Sequence, residues 1–300
     1  MLRIFHSDRF VPTLPEGHRF PIDKYRLIRE QLLYEGSIEE DMLEESEPIA
    51  EEHIRNLHTA EYWNSIRELK VQPRAMRKIG FPQSSTLVDR SRRSVNGTFE
   101  AAKWALKYGI GMNIAGGTHH AYRDRGEGFC LLNDIAISAQ YLLDQKMVGQ
   151  ILIIDLDVHQ GNGNADIFQK EDRVFTFSMH GKDNYPLHKE QSNLDLPMNT
   201  GSGDQKYLAE LEKVLGRLIP EVKPDFIYFQ AGVDVLESDR LGKLSLSRAG
   251  AKERDRKVLQ LCKTKNIPLA VCMGGGYSVR VADTVEAHCN TFRQAIELFS

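Results

Sequence analysis

A short apolar run that leads into carboxylates and an imidazole constrains the fold of this chain most. Residues 151–163 read ILIIDLDVHQGNG, with Asp155, Asp157 and His159 at alternate positions after the apolar residues. Such a run is typical of a buried strand in a parallel sheet, and alternate side chains of an extended backbone point the same way. An Asp-rich turn that caps the next helix would need one Asp, not two and a His. The sequence therefore predicts reactive side chains at the carboxyl edge of a sheet, where open α/β sheets bind ligands.

Beyond residue 110, strand and helix candidates alternate regularly. The strand candidates are Met112–Ala115, Ile151–Asp155, Val174–Ser178, Phe226–Ala231 and Leu269–Met273. The helix candidates are Leu131–Lys146, Asp204–Ile219, Leu246–Lys265 and Val279–Leu298. Strand, helix and strand in succession indicate parallel pairing through right-handed crossovers. The sequence predicts an α/β fold, with a doubly wound, mainly parallel sheet flanked by helices in one domain over residues 1–300.

The first hundred or so residues are expected to add a strand and three helices to this sheet. The strand candidate is Arg3–Phe5, and the helix candidates are Ile22–Tyr34, His58–Leu69 with Thr59 as its N-cap, and Leu87–Tyr108 with Gly109 as its stop. The loop from Ser7 to Pro21 carries three prolines, which disfavour regular structure. The polar connection Val71–Ser85 is long enough to be a functional loop.

Composition excludes several classes of protein. The chain is 41% hydrophobic and 27% charged, as in ordinary globular proteins, and its net charge of -3 argues against a general nucleic-acid binder. No run approaches the ~18 apolar residues of a membrane span, and the amino terminus lacks the apolar region of a signal peptide. We therefore expect a cytoplasmic protein with neither membrane nor nucleic acid as a partner. The widely spaced cysteines indicate buried free thiols: Cys130, Cys262, Cys272 and Cys289.

One stretch has a strongly biased charge. Between Glu35 and Glu52 there are nine acidic residues and no Lys or Arg. A solvated acidic face is the simpler interpretation. The alternative is an acidic rim that attracts a cationic substrate, and both interpretations stay open at this point.

Four strand candidates end in unusual residues, and parallel strands bring such ends to one edge of the sheet. These ends are Ala115–His120 with two glycines before paired histidines, the tip at 155–159, Gln230–Asp234, and Met273–Tyr277 with three glycines before a phenol. A single polar residue after a strand means little. The convergence of four such ends predicts a functional site.

The residue types at this edge suit metal-assisted amide hydrolysis. Asp157, His159 and Asp234 form an O, N, O set that leaves coordination positions open, as in catalytic zinc sites, and the same set suits Fe(II), Mn or Co. His119 and His120 can serve as general base and general acid, because histidine titrates near neutral pH. A phenol such as that of Tyr277 can donate a hydrogen bond to the oxyanion that forms when water attacks.

With these residues, the sequence resembles the histone deacetylase family. Five strings match family motifs in order: GGTHHA, EGFCLLND at Glu127–Asp134, DLDVHQGNG, AGVDVLESDRLGKLSLS at Ala231–Ser247, and GGGYS at Gly274–Ser278. The resemblance covers most of the chain and is greatest to the class IV branch and its bacterial relatives. It implies the arginase/deacetylase-like fold and the hydrolysis of an acyl-lysine amide.

The same resemblance implies roles for individual residues. It implies zinc on Asp157, His159 and Asp234, proton transfer at His119 and His120, and a transition-state phenol at Tyr277. Gly128 would offer its carbonyl to the substrate amide, while Phe129 and Tyr185 would form opposite walls of an acyl-lysine channel. Asp155 would orient His119 and, with nearby backbone and Ser178, would resemble the structural potassium site of the family.

Two departures from the family pattern affect these roles. Asn162 stands where class I members have an Asp beside the second histidine, so it can hydrogen-bond His120 without stabilising a positive charge. We therefore expect His120 to be less readily protonated than with a carboxylate partner. In addition, Phe81 and Pro82 stand near the position of the rim Asp that holds the substrate backbone in class I members, which implies loose peptide recognition.

The residues at this edge bear on three rival functions. Arginase-type enzymes hold two manganese ions, but Gly161, Val235 and Leu236 offer no ligands for a second ion. A deacylase of acetylpolyamines or other small acylated amines remains an alternative to acyl-lysine in proteins. A catalytically dead acyl-lysine binder would be expected to have lost a ligand or Tyr277, and neither is lost. Cys130, beside Phe129, is expected to be a small buried hydrophobe.

Overall fold

Eight parallel strands form a single sheet at the centre of the structure, a computed structural model that describes residues 2–299. The strands are β1 (Arg3–His6), β2 (Leu43–Glu45), β3 (Ile110–Ile114), β4 (Ile151–Asp155), β5 (Val174–Gly181), β6 (Leu194–Met198), β7 (Phe226–Gln230) and β8 (Leu269–Cys272). Their order across the sheet is β2-β1-β3-β8-β7-β4-β5-β6. Every neighbouring pair is parallel.

Ten α-helices flank the sheet within the described residues. They are α1 (Lys24–Tyr34), α2 (Glu51–Leu57), α3 (Ala60–Arg67), α4 (Pro73–Ile79), α5 (Ser85–Tyr108), α6 (Asp134–Asp144), α7 (Asn162–Phe168), α8 (Asp204–Val222), α9 (Arg248–Lys265) and α10 (Val281–Phe299). Helices α2, α3, α5, α6 and α7 pack in one group, and α1, α8, α9 and α10 in another. The predicted doubly wound α/β fold is confirmed.

The predicted strands agree with the observed ones because interior parallel strands have a clear apolar signature. Strand β4 has the predicted bounds, and all residues of β3, β4 and β7 are buried. The Thr59 side chain caps α3 by accepting a hydrogen bond from the Tyr62 N–H, as predicted. All four cysteines are buried and free, which confirms that expectation.

One prediction about the connections was wrong, and several short elements were missed. The connection Val71–Ser85 is not a loop throughout, because α4 occupies seven of its residues. This helix begins with Pro73 at its first turn and ends at Gly80, whose φ of +86° is the left-handed conformation that favours glycine. With only Met76 and Ile79 buried, α4 is too short to produce a recognisable periodicity. The peripheral strands β2 and β6 were missed for the same reason.

The order of the strands explains why the four unusual strand ends meet. Strands β3, β8, β7 and β4 are consecutive neighbours in the sheet. Asp155 is in register with Gln230, and Gln230 with Cys272, so β4, β7 and β8 end at the same level. The segments that follow these strands therefore leave the sheet side by side at its carboxyl edge. Among residues 2–299, no helix combines the length and the apolar character that crossing a membrane requires.

A buried arginine of α9 ties two of these exit segments together. The Arg254 side chain is fully buried and donates to the carbonyls of Leu156 (3.1 Å) and Gly232 (2.5 Å). It also forms an ion pair with Asp255 at 2.7 Å. Removing one partner of a buried pair leaves an uncompensated charge, and here it would also leave two backbone carbonyls without a donor.

We therefore predict that Arg254→Met lowers the free energy of unfolding by about 3–5 kcal/mol, measured by urea denaturation. The matched control is Arg256→Met on the same helix, since Arg256 is exposed and its ion pair with Glu253 lies at the surface. The control should lose less than about 1 kcal/mol. Equal losses in the two variants would contradict the anchoring role of Arg254.

Candidate metal centre

Three predicted side chains converge at the carboxyl edge of the sheet. One ring nitrogen of His159, Nδ1, lies 3.1 Å from Asp157 Oδ1 and 3.0 Å from Asp234 Oδ2. Ligand atoms of the three residues all lie within 4.8 Å of one another, and all three residues are buried. Asp157 and His159 come from the segment after β4, and Asp234 from the segment after β7. Two carboxylate oxygens and one imidazole nitrogen in this arrangement fit a divalent cation with open coordination positions.

Backbone groups orient the two carboxylates. Asp157 accepts from the N–H of His159 at 3.0 Å and from the N–H of Gly275 at 2.7 Å. Asp234 accepts from the N–H of Val158 at 2.9 Å. A Cβ atom on Gly275 would lie 1.9 Å from Asp234 Oδ2, so the backbone can approach this closely only at a glycine.

The charges of this cluster require a positive partner. Burial lowers the pKa of His159, but its hydrogen bonds to Asp157 and Asp234 outweigh burial and raise the pKa to about 10. Burial, together with the charge of Asp157, raises the pKa of Asp234 to about 7. The two carboxylates therefore favour a positive charge at His159. A divalent cation held by the three side chains would supply that charge, with the imidazole as a neutral ligand.

The two adjacent histidines have different partners. His119 Nδ1 lies 2.7 Å from Asp155 Oδ2, and His119 Nε2 lies 3.1 Å from His120 Nε2. Burial lowers the pKa of His119, but the charge of Asp155, with that of Asp157, outweighs burial and raises it to about 9. Protonated His119 therefore donates both to Asp155 and to His120.

His120 contacts an amide instead of a carboxylate. Its Nδ1 lies 2.6 Å from Asn162 Oδ1, and Asn162 donates to the Tyr122 hydroxyl at 2.9 Å. Burial, followed by the charges of His119 and His159, holds the pKa of His120 well below its usual value. The hydrogen bond to Asn162 raises this pKa, so the lowering comes from burial and the neighbouring imidazoles, and the expected effect of Asn162 in place of a carboxylate stays a prediction.

Tyr277 faces the cluster and is held through its backbone. Its ring centroid lies 6.4 Å from that of His159, and its hydroxyl has no protein hydrogen-bond partner among residues 2–299. Burial and the charges of Asp234 and Asp157 raise the pKa of Tyr277 well above its usual value, so the phenol remains a donor. The Asp239 carboxylate accepts from the N–H of Tyr277 at 2.6 Å, and Arg240 donates to the Tyr277 carbonyl at 3.2 Å.

A cavity of about 350 Å³ leads from the surface to these side chains. Phe129 and Tyr185 both line it, and the Tyr185 ring lies 5.1 Å from the His120 ring. Helix α4 holds the Phe129 side of the cavity, because the Gly128 and Phe129 N–H groups donate to the carbonyls of Lys78 and Ile79. A Cβ atom on Gly128 would lie 2.5 Å from the His120 ring. The cavity therefore has the shape of a channel with aromatic walls.

The residues expected at a potassium site are neighbours, since Asp155 of β4 is in register with Ser178 of β5. Ser178 Oγ contacts His180 Nδ1 at 3.0 Å, and Asp155 Oδ1 accepts from the N–H of Asp157. Potassium binding there stays a prediction.

Three residues that support the site were not among the predicted site residues. Asp239 and Arg254 act on backbone groups, and Lys24 is a fully buried lysine that donates to the carbonyls of Gly274 at 3.2 Å and Gly276 at 3.5 Å. Contacts of side chains with distant backbone groups leave no local pattern. Asp239 lies inside the motif at Ala231–Ser247, so that motif could have indicated its supporting role.

The acidic stretch does not line the channel. Its carboxylates form surface ion pairs, such as Glu35 with Arg293 at 2.6 Å and Glu47 with Arg93 at 3.4 Å. The cavity is lined by none of the residues from Glu35 to Glu52. The geometry of the acidic stretch therefore supports the solvated acidic face and not the acidic rim that attracts a cationic substrate.

Comparisons with known proteins agree with the motifs. The sequence matches the family profile described as histone deacetylase domain over residues 18–292. It is 40% identical to an uncharacterised protein of Picosynechococcus sp. over 296 aligned residues. The alignment covers 99% of this chain and 98% of the relative. The sequence is 32% identical to histone deacetylase 2 of Arabidopsis thaliana, which covers 93% of this chain and 75% of that protein.

Solved structures share the fold. A crystal structure of an HDAC homolog complexed with SAHA matches 99% of this chain and 84% of its own, with a TM-score of 0.85 and 25% identity. An HDAC homolog from Aquifex aeolicus matches 98% of this chain and 84% of its own, with a TM-score of 0.83 and 25% identity.

We predict that Asp234→Asn weakens Zn²⁺ binding by more than about 100-fold, the upper range for loss of a residue that only supports a ligand. Isothermal titration calorimetry of the two metal-free proteins measures this change. Asp183→Asn is the control, because this exposed carboxylate lies at the cavity mouth outside the cluster. Unchanged affinity in Asp234→Asn would show that the cluster is not the zinc site.

Proposed function

The chain belongs to the histone deacetylase family, and from this premise we propose that it hydrolyses the amide bond of N-acyl-lysine in proteins. The observation that carries the proposal is the convergence of the Asp157, His159 and Asp234 cluster, the histidine pair and the Tyr277 phenol at the inner end of one channel. We expect the enzyme to act in the cytoplasm, where reducing conditions suit its four free cysteines.

The cluster fits zinc and also Fe(II), since both accept carboxylate and imidazole ligands. A cation held there would polarise the amide carbonyl and make water a nucleophile near neutral pH. The protein must then bind the amide, move protons and stabilise the oxyanion.

Proton transfer falls to the histidine pair. The lowered pKa keeps His120 available as a base, so its Nε2 would take up the proton that water loses, in place of the hydrogen bond from His119, and deliver it to the leaving amine. His119 keeps its own proton because of Asp155, and it fixes the orientation of His120 through the contact between their Nε2 atoms. The different partners of the two imidazoles thus separate their roles.

The remaining groups would bind the substrate and stabilise the oxyanion. The free hydroxyl of Tyr277 can donate to the oxyanion, and the Asp239 contact fixes the backbone from which that phenol extends. The Gly128 carbonyl accepts a weak hydrogen bond from the Cys130 thiol at 3.4 Å, and its second lone pair would accept from the substrate amide N–H. Phe129 and Tyr185 would enclose the methylene chain of the lysine and exclude water from it.

A panel of peptides tests the proposed function. Peptides bearing acetyl-, butyryl-, octanoyl- and myristoyl-lysine should be hydrolysed faster than acetylated spermidine, as followed by release of the free amine. Chelation should abolish hydrolysis, and added Zn²⁺ should restore it. Hydrolysis of acetylated spermidine alone would make the protein a small-amine deacylase. No hydrolysis of any compound by zinc-loaded protein would contradict the proposal.

The contact between His120 and Asn162 gives a prediction about pH. Asn162→Asp places a carboxylate against His120 and favours its charged form, so the pKa of His120 should rise. The limb of the pH–rate profile that reports His120 should therefore shift to higher pH. Asn162→Ala is the control, because it removes the amide and introduces no charge. An unshifted profile in Asn162→Asp would contradict the role of this contact.

A further inference from the structure

The mouth of the channel carries a charge opposite to that of the whole chain. Four cationic side chains line the cavity, Arg19, Arg77, Lys78 and Lys243, together with a single carboxylate, Asp183. All five residues are exposed. The chain as a whole has a net charge of -3, so its average composition does not explain this positive surface.

Three separate segments bring these cations together. Arg19 precedes α1, Arg77 and Lys78 lie in the last turn of α4, and Lys243 precedes α9. His18 fixes the first segment to α4 through its 2.8 Å hydrogen bond to the Gly80 carbonyl. A favourable interaction with the helix dipole accounts for cations at the end of α4, but not for Arg19 or Lys243.

The four cations are not neutralised by the protein. No carboxylate of residues 2–299 lies within ion-pair distance of them, whereas most surface arginines of the chain do have such a partner. The Lys243 ammonium donates to the backbone carbonyl of Asp183 at 2.8 Å, and the Asp183 carboxylate accepts from Thr200 at 2.8 Å. These four exposed side chains can therefore form ion pairs with acidic groups of a ligand at the mouth.

We propose that this mouth selects acyl-lysines whose neighbouring residues are acidic, an inference that rests on the proposed function. An acyl-lysine whose amide reaches His120 leaves its backbone and neighbouring side chains at the mouth, beside these cations. Glutamate or aspartate there would meet complementary charge, which increases the association rate and suppresses the wrong partners. Basic peptides and acetylpolyamines would be repelled by the same surface.

Three peptides of equal length test this selection. Each carries one acyl-lysine with an apolar spacer and differs only in flanking residues, which are Glu, Gln or Lys. We expect kcat/KM to be about tenfold higher for the Glu peptide than for the Lys peptide at low salt. The difference should shrink at 1 M salt, because the Debye length falls to about 3 Å.

A pair of matched double variants assigns the effect to the mouth. Arg77→Gln/Lys243→Gln removes two of the four cations and should reduce the Glu-to-Lys ratio by about fivefold. Arg74→Gln/Lys206→Gln removes the same total charge from exposed residues that do not line the cavity, and it should keep the ratio. Equal kcat/KM values for the three peptides, or equal changes of the Glu-to-Lys ratio in both double variants, would overturn the inference and leave the proposed function intact.

Binding separates the two claims if turnover is absent. Zinc-loaded Tyr277→Phe should bind the fluorescently labelled Glu peptide more tightly than the Lys peptide, as measured by anisotropy. A preference for the Glu peptide without hydrolysis by the wild type would support the selectivity alone. Failure of the variant to bind any peptide, together with no hydrolysis by the wild type, would overturn both claims.

Discussion

The structure depends on two buried carboxylates that share one imidazole. Asp157 and Asp234 are almost fully removed from water and both contact His159 Nδ1. Two like charges in a medium of low polarity are costly unless a cation and hydrogen-bond donors compensate them. Backbone N–H groups supply part of that compensation, and a divalent cation would supply the rest. The glycine segments after β7 and β8 follow from this requirement, because a side chain there would occupy the space of the carboxylates.

The sheet makes this arrangement possible. Parallel pairing places the ends of neighbouring strands at one edge, so residues more than a hundred positions apart, such as Asp157 and Gly275, form a hydrogen bond there. The helices then fix the exits from outside. Arg254 reaches from α9 to the backbone beside both carboxylates, and α4 holds the channel wall at Phe129. The metal-cluster residues Asp157 and His159, for example, lie on the short segment between β4 and α7.

Much of this could be predicted from the sequence, for identifiable reasons. Buried parallel strands are continuous apolar runs, so β4 was predicted with its observed bounds, and ordered motifs after four strands indicated one site. The elements that escaped prediction lack such patterns. Helix α4 buries only two side chains, Asp239 and Arg254 act on backbone groups far away in sequence, and the cations of the mouth come from three segments. The acidic stretch was ambiguous because its arginine partners lie elsewhere in the chain.

The central claim is that one divalent ion is bound by Asp157, His159 and Asp234 and faces the histidine pair and Tyr277. Anomalous X-ray diffraction, recorded on either side of the zinc absorption edge from crystals grown with Zn²⁺, tests it most directly. The account predicts one strong peak at about 2.0–2.2 Å from an oxygen of each carboxylate and from Nδ1 of the imidazole. An absent peak, or a peak bound instead by His119 or His120, would contradict it.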